Sequence, residues 1–170
     1  MKHLTFIAIC LLIVHFLSAQ QQFAVPEVTP EQKQEILYNH VMGYAITGIG
    51  FAKSKRVTPK EFGEFIGNQF KSYWDPATGF PVFVNGMLFI LAGMHPDNEM
   101  QIIEQSDKII RVKLKNVDLS FKNGPVYGVT YDEFLECSEG IISTLAQHMN
   151  VSFSHKIADE IWYEVTLTKK

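Results

Sequence analysis

The chain has 170 residues with 15 Lys and Arg against 18 Asp and Glu, a formal charge of −3, and aromatic residues make up 12% of it. That balance argues against a nucleic-acid partner, because phosphate binding calls for a concentrated cationic face and the one short basic cluster is Lys53, Lys55 and Arg56. The two cysteines, Cys10 and Cys137, fall to one if the N-terminal segment is removed, so no internal disulfide is expected and the fold rests on its core.

Residues 1–19 read as a secretory signal. Lys2 gives the positive start, Leu4 to Leu17 are almost continuously apolar, and Ser18-Ala19 before Gln20 supply the small residues of a cleavage site. The apolar run is too short for a bilayer-spanning helix, which needs about 20 apolar residues, so no membrane span is expected after cleavage. Cys10, inside the run, is not at a lipidation position. The expected product is secreted or periplasmic. Its remaining length of about 150 residues suits one domain, placed at 29–170 after a flexible leader at 20–28.

Thr29-Pro30-Glu31-Gln32 opens the first predicted helix with a capping side chain, a first-turn proline and a Gln that reaches back. Its apolar positions, including Ile36, Leu37, Val41, Tyr44 and Ile49, recur at helical steps to about Lys53 and predict one buried stripe. Gly43, Gly48 and Gly50 interrupt it, either admitting a close neighbour or ending the helix early. Thr58-Pro59-Lys60-Glu61 repeats the capping pattern, and Phe62, Phe65, Ile66, Phe70 and Tyr73 define the face of a second helix that Asp75 to Gly79 stop. From Phe80 to Met94 two readings compete. Asn85-Gly86 is hairpin chemistry, while Met87, Leu88 and Leu91 have helical spacing, and the helix is preferred.

Met100 to Lys115 predicts a hairpin about Ser106-Asp107, with Ile110, Val112 and Leu114 alternating against Arg111, Lys113 and Lys115. A third capping box, Thr130 to Glu133, starts the most regular helix, whose stripe includes Phe134, Leu135, Ile141, Leu145 and Met149 and which Asn150 terminates. Val151 to Ile157 and Ile161 to Thr168 form a closing hairpin. Helices followed by ββαββ predict an α+β domain with helices packed on one face of a small antiparallel sheet.

Spacing that would by itself establish chemistry is missing from the sequence: there is no paired-Cys zinc pattern, His-Glu-x-x-His helix, Walker loop or nucleophile elbow. No metal site and no cofactor are expected. His40, His95, His148 and His155 are scattered one per element, with His148 placed in the last turn of its helix where an imidazolium meets the dipole. Cys137 lies between Glu136 and Glu139, which oppose a thiolate and favour a small buried side chain. Asn150-Val151-Ser152 fits the glycosylation pattern.

The segments EQSDKIIRVKLKN, YGVTYDEFLECSEGIISTLAQHMN and FSHKIADEIWYEVTL resemble, in layout, vinyl-reductase-like ligand-binding domains and the aminothiazoline-carboxylate hydrolase-like family. The shared layout is a hairpin, a long helix and a closing strand over the C-terminal third of the chain, without the cysteines those families carry around the closing strands. The signal is similar to those of exported Bacteroidetes proteins. The resemblance implies a ligand-binding or hydrolase-like domain.

From these readings comes an exported non-enzymatic domain that binds a small apolar molecule or a protein partner. A small-molecule site would be an apolar pocket between the first two helices and the sheet, lined by Tyr44, Phe65, Trp74 and Trp162. The rival is a hydrolase-like enzyme using the polar loop His95, Asp97 and Glu99 as acid and base. An interaction module would instead show an exposed apolar patch near Phe80 to Leu91.

Overall fold

A computed structural model describes residues 27–93, 97–115, 119–157 and 162–170. Four α-helices and four strands follow in the order α1 (Pro30–Ser54), α2 (Pro59–Phe70), α3 (Gly79–Ala92), β1 (Glu99–Gln105), β2 (Ile109–Lys115), α4 (Tyr131–His148), β3 (Val151–Ile157) and β4 (Trp162–Lys169). The α+β class, with helices towards the N-terminus and strands towards the C-terminus, is as the sequence predicts, and the stretch with competing readings, 80–94, is helical to Ala92.

Local chemistry sets the helix starts. At Thr58 and Thr130 the hydroxyl accepts the backbone N–H three residues on, while Glu61 and Glu133 return a carboxylate to the capping N–H. Thr29 and Gln32 make the same exchange at the head of α1. Asn150 ends the α4 turn with a left-handed φ of 55°.

The strands form one antiparallel sheet in the order β1-β2-β4-β3. Within it Val112 pairs with Val165 and Leu114 with Tyr163. Alternation puts Ile110, Val112, Leu114, Val165 and Leu167 on the covered face, each nearly inaccessible. Against that face lie Phe83, Met87 and Leu91 of α3 and Leu135, Leu145 and Ala146 of α4, which complete the main core. A second core holds Ile46 and Ile49 of α1 with Phe134 and Cys137 of α4, Phe121 and Val129. Glu164, on the other face, is buried, and Lys156 at 3.3 Å and Arg111 at 3.9 Å compensate its charge.

The contact between α2 and α4 departs from the predicted pattern. The sequence assigns the buried face of α2 to Phe62, Phe65, Ile66, Phe70 and Tyr73, yet the buried positions of α2 are Pro59, Gly63 and Gly67, with Phe65, Phe70 and Tyr73 exposed. A Cβ on Gly63 would lie 2.0 Å from the Cys137 carbonyl oxygen, and one on Gly140 would lie 2.3 Å from the Lys60 carbonyl oxygen. The two backbones therefore touch, and only glycine fits between them. On α1 the predicted stripe holds at Ile49, which is buried together with Ala52 and Ile46, and is corrected at Ile36, Leu37, Val41 and Tyr44, which face solvent.

Gly63→Ala is expected to destabilise the protein by about 2–4 kcal/mol, because backbone atoms cannot yield as a flexible side chain does. Gly43, with nothing within 4 Å of its missing Cβ, predicts the opposite sign. Gly43→Ala should stabilise by roughly 0.5–1 kcal/mol, and urea unfolding of both variants checks the pair.

Candidate functional site

The close approach of α2 to α4 places Lys60 beside Glu139, and the Lys60 Nζ donates to Glu139 Oε1 at 2.7 Å. The other carboxylate oxygen faces His155 Nε2 of β3 at 3.4 Å. One carboxylate thus ties together two helices and an edge strand. The His155 ring stacks on Phe153, centroid to centroid 5.5 Å, and lies 5.3 Å from Tyr163. The Lys60 hydrogen bond, aided by His155, holds the Glu139 pKa below its ordinary value. Burial raises the Tyr163 phenol and pushes the Cys137 thiol up to about 11, so both keep their protons at neutral pH.

Beside this cluster runs a groove of about 270 Å³, open to solvent, between the last turns of α4 and β3. Ser143, Ala146 and Gln147 of α4, Val151, Ser152 and Phe153 of β3, and Lys170 line it. Phe153 belongs both to the groove and to the ring stack on His155. The lining mixes hydroxyl, amide and apolar groups, which could seat a small polar molecule but present no activated nucleophile.

Of the four aromatic residues expected to line a pocket, Tyr44, Phe65 and Trp74 have described side chains. Tyr44 is 78% exposed on α1 and Phe65 is 59% exposed on α2. Trp74 is half-buried against the main core, edge-on to Phe83 at 5.1 Å, with its indole lying over Gly86 so closely that a Cβ there would be 2.4 Å from the ring. His148 Nε2 donates to the Trp74 carbonyl at 2.8 Å, which joins the end of α4 to the segment between α2 and α3. The side chain of Trp162 lies outside the described part of the molecule, as does His95. Asp97 is exposed, and Glu99 pairs with Lys115 at 3.2 Å.

Sequence reasoning missed the Lys60, Glu139 and His155 cluster, whose members are up to 95 positions apart and share no local motif. Over its 14 residues α3 carries no charge, and opposite the buried Phe83, Met87 and Leu91 it exposes Val82, Phe89 and Ile90, with Phe89 84% accessible. Among the described residues, no group of three His, Cys, Asp or Glu side chains could hold a metal ion. No single helix among them is long and apolar enough to cross a membrane.

No family model, no curated protein and no solved structure matches the chain.

Because Glu139 has a folded pKa below its ordinary 4.5, the stability it contributes is complete above that pH and is lost as pH falls through the folded value. Wild type should therefore lose urea resistance on acidification below pH 4.5 more steeply than Glu139→Gln; parallel losses would show that the carboxylate carries no linkage. Cys137 yields a separate test. In the folded protein at neutral pH it should resist a thiol-specific disulfide reagent, and it should react at the rate of unfolding once denaturant is added.

Proposed function

We propose that this chain acts as an exported, non-enzymatic binding module that docks a partner protein through the apolar outer surface of its helices. The observation that carries the reading is α3. A helix without charge on any side belongs in an interior, yet this one turns Val82, Phe89 and Ile90 to solvent. Among the described residues one side packs into the main core, and on the other Trp74 covers Gly86 while Val82, Phe89 and Ile90 stay exposed.

The chemistry of α3 favours a protein over a lipid surface. Fourteen helical residues reach about 21 Å, short of a hydrocarbon core of about 30 Å. A helix that lies on anionic lipid brings Lys or Arg to its polar edge, and α3 has neither. An apolar counter-surface on a protein needs no such cations. Export follows from the reading of residues 1–19 as a cleaved signal, and the buried, protonated state of Cys137 and Tyr163 supports a binding role over a catalytic one.

Phe89→Asp tests the surface without touching the core. A protein captured from the producing cells by wild type should be lost with Phe89→Asp, and the purified partner should bind wild type at least about tenfold more tightly than the variant. Circular dichroism of the variant should remain native. Equal affinity of the purified partner for both proteins would remove α3 as the docking surface.

A further inference from the structure

The sheet has two outer strands, and they are finished differently. On β1 the register slips between Ile102 and Glu104, and Glu99 and Glu104 add charge. A bulge and charged residues are the usual means by which an edge is kept from pairing with another chain. On β3 the register with β4 runs unbroken from Val151 to Ile157, without proline or acid. Its two basic residues are drawn back into the molecule, His155 by Glu139 at 3.4 Å and Lys156 by Glu164 at 3.3 Å.

One hydrogen bond fixes which way the β3 backbone faces. The Lys170 N–H donates to the Asn150 carbonyl, so that carbonyl points at β4. Across a trans peptide the carbonyl and the following N–H point oppositely, and along a strand the N–H and C=O of one residue share a side. The main-chain groups of Ser152, Ser154 and Lys156 therefore pair with β4, and those of Val151, Phe153 and His155 point out of the sheet. Among the described residues no hydrogen bond reaches these outward groups. Val151 and Phe153 also line the groove of about 270 Å³ between β3 and the last turns of α4, together with Ser143 and Gln147.

The spacing of the outward groups chooses the occupant. A donor and an acceptor recur together at every second residue, about 6.8 Å apart, a pattern that another extended backbone matches and a helix or a compact small molecule does not. A second copy that offered its own β3 would bring with it the α4 joined to that strand by the turn at Met149 and Asn150, and the helix would meet the first α4 over the groove. A peptide carries no such helix. We infer that β3 is a docking edge for an extended peptide segment of another protein, which adds a fifth strand beside Val151, Phe153 and His155 and turns a small polar side chain into the groove towards Ser143 and Gln147.

This edge and the α3 surface belong to different elements, so the two readings fail independently. A phage-displayed library of random heptapeptides panned on the purified chain supplies the probe. In fluorescence anisotropy the enriched peptide should bind wild type and Phe89→Asp equally. It should bind Ser143→Phe, which fills the groove from a half-buried position, at least about tenfold more weakly with circular dichroism unchanged. Methylating the peptide's backbone nitrogens one at a time should weaken binding at alternate residues only, the period of a ladder. Amide exchange followed by NMR should slow at Val151, Phe153 and His155 when the peptide binds. The inference is overturned by a library that enriches nothing, by methylation effects that do not alternate, or by slowing confined to α3. A free chain that sediments as a dimer with those three amides already slow makes a second copy the occupant and overturns it as well.

Discussion

The contact of the α2 backbone with the α4 backbone is the constraint from which the rest of the helical layer follows. Gly63 and Gly67 on one helix and Gly140 on the other remove the side chains that normally hold packed helices about 8–10 Å apart. Because the buried face of α2 is made of glycine, its large residues have to point elsewhere. Phe62 and Ile66 turn towards α1 and join the second core, and Phe65 and Phe70 are left on the surface. The apolar exterior is therefore a geometric consequence of close packing and does not reflect a poorly formed core.

The same approach creates the polar cluster. Lys60 and Gly63 share a turn of α2, and Glu139 and Gly140 are adjacent on α4, so pressing glycine on glycine sets the ammonium next to the carboxylate. His155 then extends the link to β3, the outermost strand on its side of the sheet. An edge strand has one unpaired side, and the contact of His155 with Glu139 ties this one to α4. The cluster explains cohesion at least as well as chemistry. Its carboxylate is occupied on both oxygens, and the neighbouring thiol and phenol remain protonated.

What is left facing solvent gives the molecule its character. Surfaces of monomeric proteins carry isolated apolar residues without consequence, but here several are grouped by element, along α1 and on the charge-free α3. Both faces lie on helices whose opposite sides are packed into cores, so they are presented in a fixed geometry. Preorganised apolar surface of this kind lowers the entropic cost of association.

The sequence by itself determined the elements and their order. Capping boxes at Thr58 and Thr130, the left-handed terminator Asn150 and the alternation of Ile110, Val112 and Leu114 are local signals, and the structure places helices and strands where they indicate. It also pointed to the stretch from Phe80 to Leu91 as the place to look for exposed apolar surface. Tertiary structure alone decided which side of α1 and α2 is buried. Periodicity measures where large apolar side chains lie, and it assumes that they face the core. In α2 that assumption holds for Phe62 and Ile66 and fails for Phe65 and Phe70, since the tightest packing is made by residues without side chains, and the significance of Gly63 depends on Gly140, which stands 77 positions away. The meeting of Lys60, Glu139 and His155 was hidden for the same reason: an ion pair across three elements leaves no periodic trace until the chain has folded.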